Sequence, residues 1–284
     1  MLRSLFAGIS GLRVNQTMLD VTGNNIANAN TIGFKSSSTV FSDTLSQMLT
    51  AAGGANAARG GTNPIQVGLG VQVAGTSTNY NQGSTQTTGR ATDLMIQGDG
   101  MFVVQKNGEQ LYTRAGSFSF DETGTLVNPT GGRVQGYALD ASGNPTGGLI
   151  DMSLDYSGLT PPVDPGVQMT SYNIGGDGKL RAVFSDESQR ELGQLAMANF
   201  NNPMGLEKVG ETSFRESANS GAAQLGIPGQ GMNGDIQGGA VEMSNVDLAQ
   251  EFTNLILAQR GFQASSKVIT TSDQVLEDLV NIKR

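Results

Sequence analysis

The chain has 284 residues and a formal net charge of -8, with 40 Gly, 8 Pro, 11 Phe, 5 Tyr and no Cys, His or Trp. Without Cys or His, disulfides, thiolate chemistry, Cys/His zinc sites and Ser-His-Asp or Cys-His catalysis are excluded. The acidic balance, 25 Asp and Glu against 17 Lys and Arg, repels phosphate backbones and argues against nucleic acid as a partner.

In chain order, the first predicted element is a helix. Leu2, Leu5, Ile9, Leu12, Leu19 and Ile26 fall on one heptad seam, with Gln16 and Gly23 filling two of its positions. The helix ends near Asn28, because NNIANANTIGF places four Asn between 24 and 30 and then Gly33, residues that tolerate left-handed backbone. The basic, apolar and small-residue succession of a cleaved signal peptide is missing from this end. No segment approaches the roughly 18 apolar residues of a spanning helix, so no membrane insertion is expected.

Residues 46–63, SQMLTAAGGANAARGGTN, are small and nearly uncharged, and residues 218–239 resemble them in composition. Both read as flexible solvated linkers in the isolated chain, the alternative being stretches that order only against neighbouring copies. Between them the helical period disappears. Short apolar runs such as LMIQ, MFVVQ, SFSF, RVQGYAL, KLRAVF and QLAMANF alternate with Gly and Asn turns, which predicts an all-β region. Leu159–Gly166, with three Pro, reads as an irregular extended connection.

Chemistry is sparse. Gly68-Leu69-Gly70 and Gly98-Asp99-Gly100 lack the third glycine of a dinucleotide loop, and Gly175-Gly176-Asp177-Gly178 occurs once, without a period. The carboxylate pairs Asp121-Glu122 and Asp186-Glu187 sit in turn-like surroundings, and adjacent strand residues face opposite ways. The reading is of a protein that is not an enzyme and needs no cofactor and no metal.

The last element is a long helix. Leu248, Phe252, Leu255, Gln259, Phe262, Ser266, Ile269, Asp273, Leu276 and Val280 keep a heptad register, and Ser244 or Asn245 is placed to cap it, with Asp247 near the first turn. Gly261, beside the seam, costs about 1 kcal/mol relative to Ala or admits a close neighbour. Both terminal stripes are too narrow for burial inside a globular domain, so the helices pair as a coiled coil, and residues outside the seam need further neighbours. The fold class expected is α+β: an all-β central domain with N- and C-terminal helices. The expected division is paired helices at 1–29 and 246–284, linker or intermediate regions at 30–70 and 226–245, and a β-rich outer domain at 71–225.

The opening through FSDTL, and NNIANANTIGFK above all, resembles the N-terminus of bacterial flagellar rod and hook proteins. EMSNVDLAQEFTNLILAQRGFQASSKVITTSDQVLEDLV resembles the matching C-terminal motif, and GRATDLMIQGDGMFVV with YTRAGSFSFDETGTLVNPTGGRVQGY resembles the β domain. Asn24, Asn25, Asn28, Gly33, Phe34 and Lys35 carry the N-terminal family motif. Within the family, GRATDLMIQGDG and SNVDLAQEFTNLILAQRGFQ are most similar to hook subunits in their short form, with distal rod subunits as the alternative.

The resemblance implies a self-assembling helical tube that acts in motility as a flexible, torque-transmitting joint of the hook, or as the distal rod in the alternative. Heterologous contacts that repeat without closing give such a tube. Its implied partners are further copies of the chain, rod, hook-cap and hook–filament junction proteins, and the flagellar type III export apparatus. Its implied place is the extracellular hook and basal body, reached without a cleaved signal peptide. Phe41 and Leu45 match a short export-gate pattern. The residues expected to carry self-assembly are Leu5, Ile9, Leu12, Leu19, Leu248, Phe252, Leu255, Phe262, Ile269 and Leu276. The length leaves little room for the extra outer domain of longer hook subunits, so residues 145–170 form at most a small excursion.

Overall fold

A computed structural model describes residues 2–54, 60–140, 143–156 and 167–282. The chain forms two compact units, one of Met1–Ala27, Ser36–Asn79 and Val246–Arg284, the other of Asn28–Lys35 and Tyr80–Asn245. The architecture is α+β, with helices at both ends and strands between. Leu159–Gly166 lies outside the described residues.

The first unit holds α1 (Leu2–Ala27), four strands and α2 (Leu248–Ile282). The strands are β1 (Ser37–Asp43), β2 (Ser46–Thr50), β3 (Ile65–Gly68) and β4 (Val71–Thr78). They make a two-stranded antiparallel ribbon, β1 on β4 from Ser37↔Thr78 to Asp43↔Val71 and β2 on β3 from Ser46↔Gly68 to Thr50↔Ile65. A bridge between Gly53 and Thr62 carries it further. The solvated loop expected over 46–63 is therefore corrected at its start: SQMLT pairs as a strand, because its backbone groups find partners in Ile65–Gly68. Residues 55–59 of that stretch lie outside the described residues.

The termini of α2 show why it starts where it does. The Asp247 carboxylate accepts from the N–H groups of Ala249 at 2.9 Å and Gln250 at 3.3 Å, which makes Asp247 the N-cap. The cap is thus Asp247 rather than Ser244 or Asn245, the residues expected from the sequence. The 35-residue helix spans about 50 Å.

In the second unit, chain order continues with β5 (Thr85–Thr87), β6 (Leu94–Gln97), β7 (Met101–Lys106), β8 (Glu109–Thr113), β9 (Ser119–Phe120), β10 (Leu126–Val127), β11 (Arg133–Leu139) and β12 (Pro145–Asp151). It goes on with β13 (Met169–Ile174), β14 (Lys179–Phe184), β15 (Gln189–Leu195), β16 (Met197–Asn199), β17 (Glu207–Gly210), β18 (Ser213–Arg215), β19 (Gln224–Gly226), β20 (Asp235–Gly238) and β21 (Ala240–Glu242). The main antiparallel path is β13-β14-β15-β11-β7-β8-β18-β17. Asn107 and Gly108, both at positive φ, close the β7–β8 hairpin between Lys106 and Glu109, a two-residue turn that favours this dipeptide.

The expected linker at 218–239 is ordered too, since β19 pairs with β16 and β20 with β6. Its glycines serve close backbone packing: a Cβ at Gly234 would collide with the Gln97 carbonyl. The core holds Leu94, Ile96, Phe102, Phe118, Leu126 and Leu180, each 1% exposed or less, with Phe102 and Phe118 edge to face at 5.2 Å. Pro145–Asp151 belongs to this sheet, on β11.

Candidate assembly surface and the ends that carry it

The two helices run antiparallel. Ser4 Oγ lies 3.3 Å from Ser272 Oγ, and Asn25 Nδ2 donates to Glu251 Oε1 at 3.0 Å. Between these ends the packing is close. A Cβ on Gly8 would stand 3.0 Å from Ile269, one on Gly11 2.8 Å from Ser265, and one on Gly261 2.5 Å from Asn15. Residues 4, 11 and 25 and residues 8, 15 and 22 step by sevens or multiples of seven, as do 251, 258, 265 and 272. Small and polar residues therefore form the pairing seam, with Thr22, Asn25 and Ala258 buried along it.

That seam is one residue away from the apolar one expected from the sequence. The reason is steric: Gly and Ser let the helix axes approach, and the bulkier row is left beside the contact. Leu5, Leu12, Leu19, Leu255, Ile269 and Leu276 are half-buried at its edge. Ile9, Leu248, Phe252 and Phe262 are exposed, Phe252 at 52%. Phe6, Ile256, Leu257, Val268 and Val275 widen the apolar surface. Phe41, on β1, and Leu45, between β1 and β2, are also exposed.

The N-terminal motif does structural work in both units. In the first, Asn25 pairs with Ser37 as a strand residue would: Nδ2 donates to the Ser37 carbonyl at 2.7 Å and Oδ1 accepts the Ser37 N–H at 3.0 Å. Asn24 is exposed. In the second unit, Asn28 Oδ1 accepts from Thr31 Oγ1 at 3.0 Å. Gly33 has φ 69°, and a Cβ there would strike the Ala115 backbone. Phe34 lies under the Lys208 ammonium, 5.3 Å from its ring centre.

Lys35 is buried. Its ammonium donates to Glu242 Oε1 at 2.6 Å and to the Asn81 carbonyl at 2.8 Å. Glu242 Oε1 also accepts the Gly83 N–H at 2.8 Å, while Oε2 lies 3.4 Å from Arg114 Nη1. Burial pushes both the Lys35 and Arg114 pKa values down, and Glu242 opposes that in each case. The Gly33 N–H donates to the Glu242 carbonyl at 2.8 Å. The ionic cluster thus fastens the segment after α1 to the strand before α2. Sequence reasoning singled out Lys35 but missed Glu242 and Arg114, because nothing local signals a partner 207 residues away.

The candidate acid–base carboxylates are turn formers. Asp121 accepts from Thr123 and Thr125, Asp186 from Ser188, and these hydrogen bonds hold both carboxyls below the usual range. Among the described residues, no group of three or more Asp and Glu is placed to hold a metal ion. Among them too, no helix is long and apolar enough to cross a membrane.

Exposed apolar rows run along both helices and the ribbon, a surface of the kind that associates. Three family descriptions match the chain: flagella basal body rod protein over residues 5–35, flagellar hook protein FlgE/F/G D1 domain over 95–182, and flagellar basal body rod FlgEFG protein C-terminal over 237–282. The chain is 45% identical over 285 residues to the flagellar basal-body rod protein FlgG of Bacillus subtilis, covering all of both chains. It is 31% identical over 441 residues to the flagellar hook protein FlgE of Borreliella burgdorferi, and 33% over 294 residues to the FlgG of that organism, again covering all of each. The chain belongs to the flagellar rod and hook family.

Proposed function

We propose that this chain is a subunit of the distal rod of the flagellar basal body, in place of the hook subunit expected from the sequence. The observation that carries this reading is likeness to a rod protein from end to end, 45% over 285 residues, nearly the chain's own length. Against the hook relative the alignment stretches to 441 residues at 31%, so the chain lacks the bulk of a hook-type insertion. In this reading the helix unit supplies the axial core. Phe252, Leu255, Phe262, Ile269 and Leu276 on α2, with Leu5, Ile9, Leu12 and Leu19 on α1, find their remaining neighbours on other copies. The subunit leaves the cell through the flagellar type III apparatus, with Phe41 and Leu45 exposed to engage it, and meets other rod and hook components.

Electron microscopy of basal bodies from a strain lacking the gene tests this. The expected image is an assembly halted within the rod. A complete rod that ends without a hook would overturn the rod reading in favour of the hook subunit.

A further inference from the structure

Because Ser4 faces Ser272 and α2 continues to Ile282, the last ten residues of α2 run about 15 Å past that contact. Val275, Leu279 and Ile282 are exposed there at i, i+4 and i+7, with Asp278 between them. Asp278 lies near the negative end of the helix dipole and forms no ion pair among the described residues. Elsewhere in the same unit, α1 and β4 flank an open groove lined by Phe6, Ile9, Arg13, Leu69 and Val73. Phe6, Ile9, Leu69 and Val73 are exposed there, with buried Val14 at its floor, and Arg13 forms no ion pair among the described residues.

We propose that the end of α2 from a second copy of this chain lies in the α1–β4 groove, Val275, Leu279 and Ile282 on its apolar wall and Asp278 on Arg13. The spacing is that of a helix laid in a groove, and the charges complement each other. The same chain cannot fill its own groove this way. Gly8 is against Ile269 in an antiparallel pair, so Leu279 is ten residues, about 15 Å, beyond the level of Gly8 and farther still from that of Ile9. The proposal rests on the assembling rod subunit and names the surfaces that meet.

The absence of Cys makes a clean test possible. The full chain carrying Ile9→Cys and Leu279→Cys replaces the wild type in cells, and flagellar structures are isolated, oxidised and run on a non-reducing gel. A bridge needs Cα atoms within about 7 Å, so any link is between copies. The expected result is a ladder of multiples that collapses on reduction and is missing from either single variant. Monomer alone from structures with normal morphology would overturn the proposal. A second arm uses Arg13→Asp and Asp278→Arg: each alone should stop rods in micrographs, and the pair together should restore them. Normal rods with either single change, or no restoration by the pair, would also overturn it. Intact rods in the deletion strain would sink the rod reading instead, while the ladder stays readable in whatever structure holds the chain.

Discussion

The two units bury opposite kinds of residue. In the β unit Leu94, Ile96, Phe102, Leu126 and Leu180 are sealed from water. In the helix and ribbon unit only Val14 and Ala258 are buried apolar residues among those described, while Phe6, Leu45, Phe252, Ile256, Leu257 and Ile282 are exposed. The β unit has sealed an apolar core within the chain, although Met204 and Met232 stay exposed. The other has spent its intramolecular contact on Gly, Ser, Asn and Thr and kept its large side chains outside. A difference of this kind separates a folded body from half of an interface.

The comparison breaks first, if it breaks, at a pair of like substitutions. Phe102→Ala should cost the β unit about 3–5 kcal/mol, whereas Phe252→Ala should cost the monomer under about 0.5 kcal/mol and abolish polymers. Urea denaturation of each purified chain, with sedimentation of its polymers, reads both. Equal losses of monomer stability would mean that the helix unit is also closed. Of similar size is Glu242→Ala, which strands Lys35 and Arg114 as buried unpaired charges and should cost about 3–5 kcal/mol. Denaturation followed by far-ultraviolet dichroism measures it, and a loss below about 1 kcal/mol would mean that the cluster contributes little.

Smaller effects sharpen the account of the helix seam. Gly11→Ala drives a methyl group against Ser265 and should weaken the helix pair by about 1–3 kcal/mol. Gly23→Ala meets nothing within 4 Å and should strengthen α1 by up to about 1 kcal/mol. Amide hydrogen exchange along α1 distinguishes them, and identical behaviour would contradict the small-residue seam.

The finest signal comes from three of the five phenols, Tyr80, Tyr112 and Tyr137, whose pKa values burial raises. Burial raises the Tyr80 pKa from 10.0 to about 12. The folded chain therefore holds a proton that the unfolded chain releases from pH 10 upward, and this contribution to stability is lost as pH rises from 10.0 towards about 12. A spectrophotometric titration should show late-ionising phenols, of which one is lost in Tyr80→Phe. A Tyr80 phenol titrating normally would mean that this part of the β unit is open to water.

Several features are legible in residue order alone. The heptads at both ends predict helices that end and start within a few residues of Ala27 and Leu248. LMIQ, RVQGYAL and KLRAVF form β6, β11 and β14. Gly261 is legible as a place of close approach, although Asn15 as its neighbour is not. The small-residue heptad through Gly8, Gly11 and Ser265 is also in the sequence, but an apolar period is a stronger signal than a period of small residues. Composition misleads at SQMLT and at 218–239, where a Gly- and Ala-rich stretch still pairs its backbone.

The periods, the turns, the excluded chemistry and the kinship all follow from residue type and spacing along the chain. Three outcomes come from three-dimensional packing: which of two adjacent heptads pairs the helices, the meeting of Lys35 with Glu242 and Arg114, and the exposure of the outer helix rows. Those outcomes depend on how closely two backbones can approach and on contacts between residues hundreds of positions apart, and neither is written in local spacing.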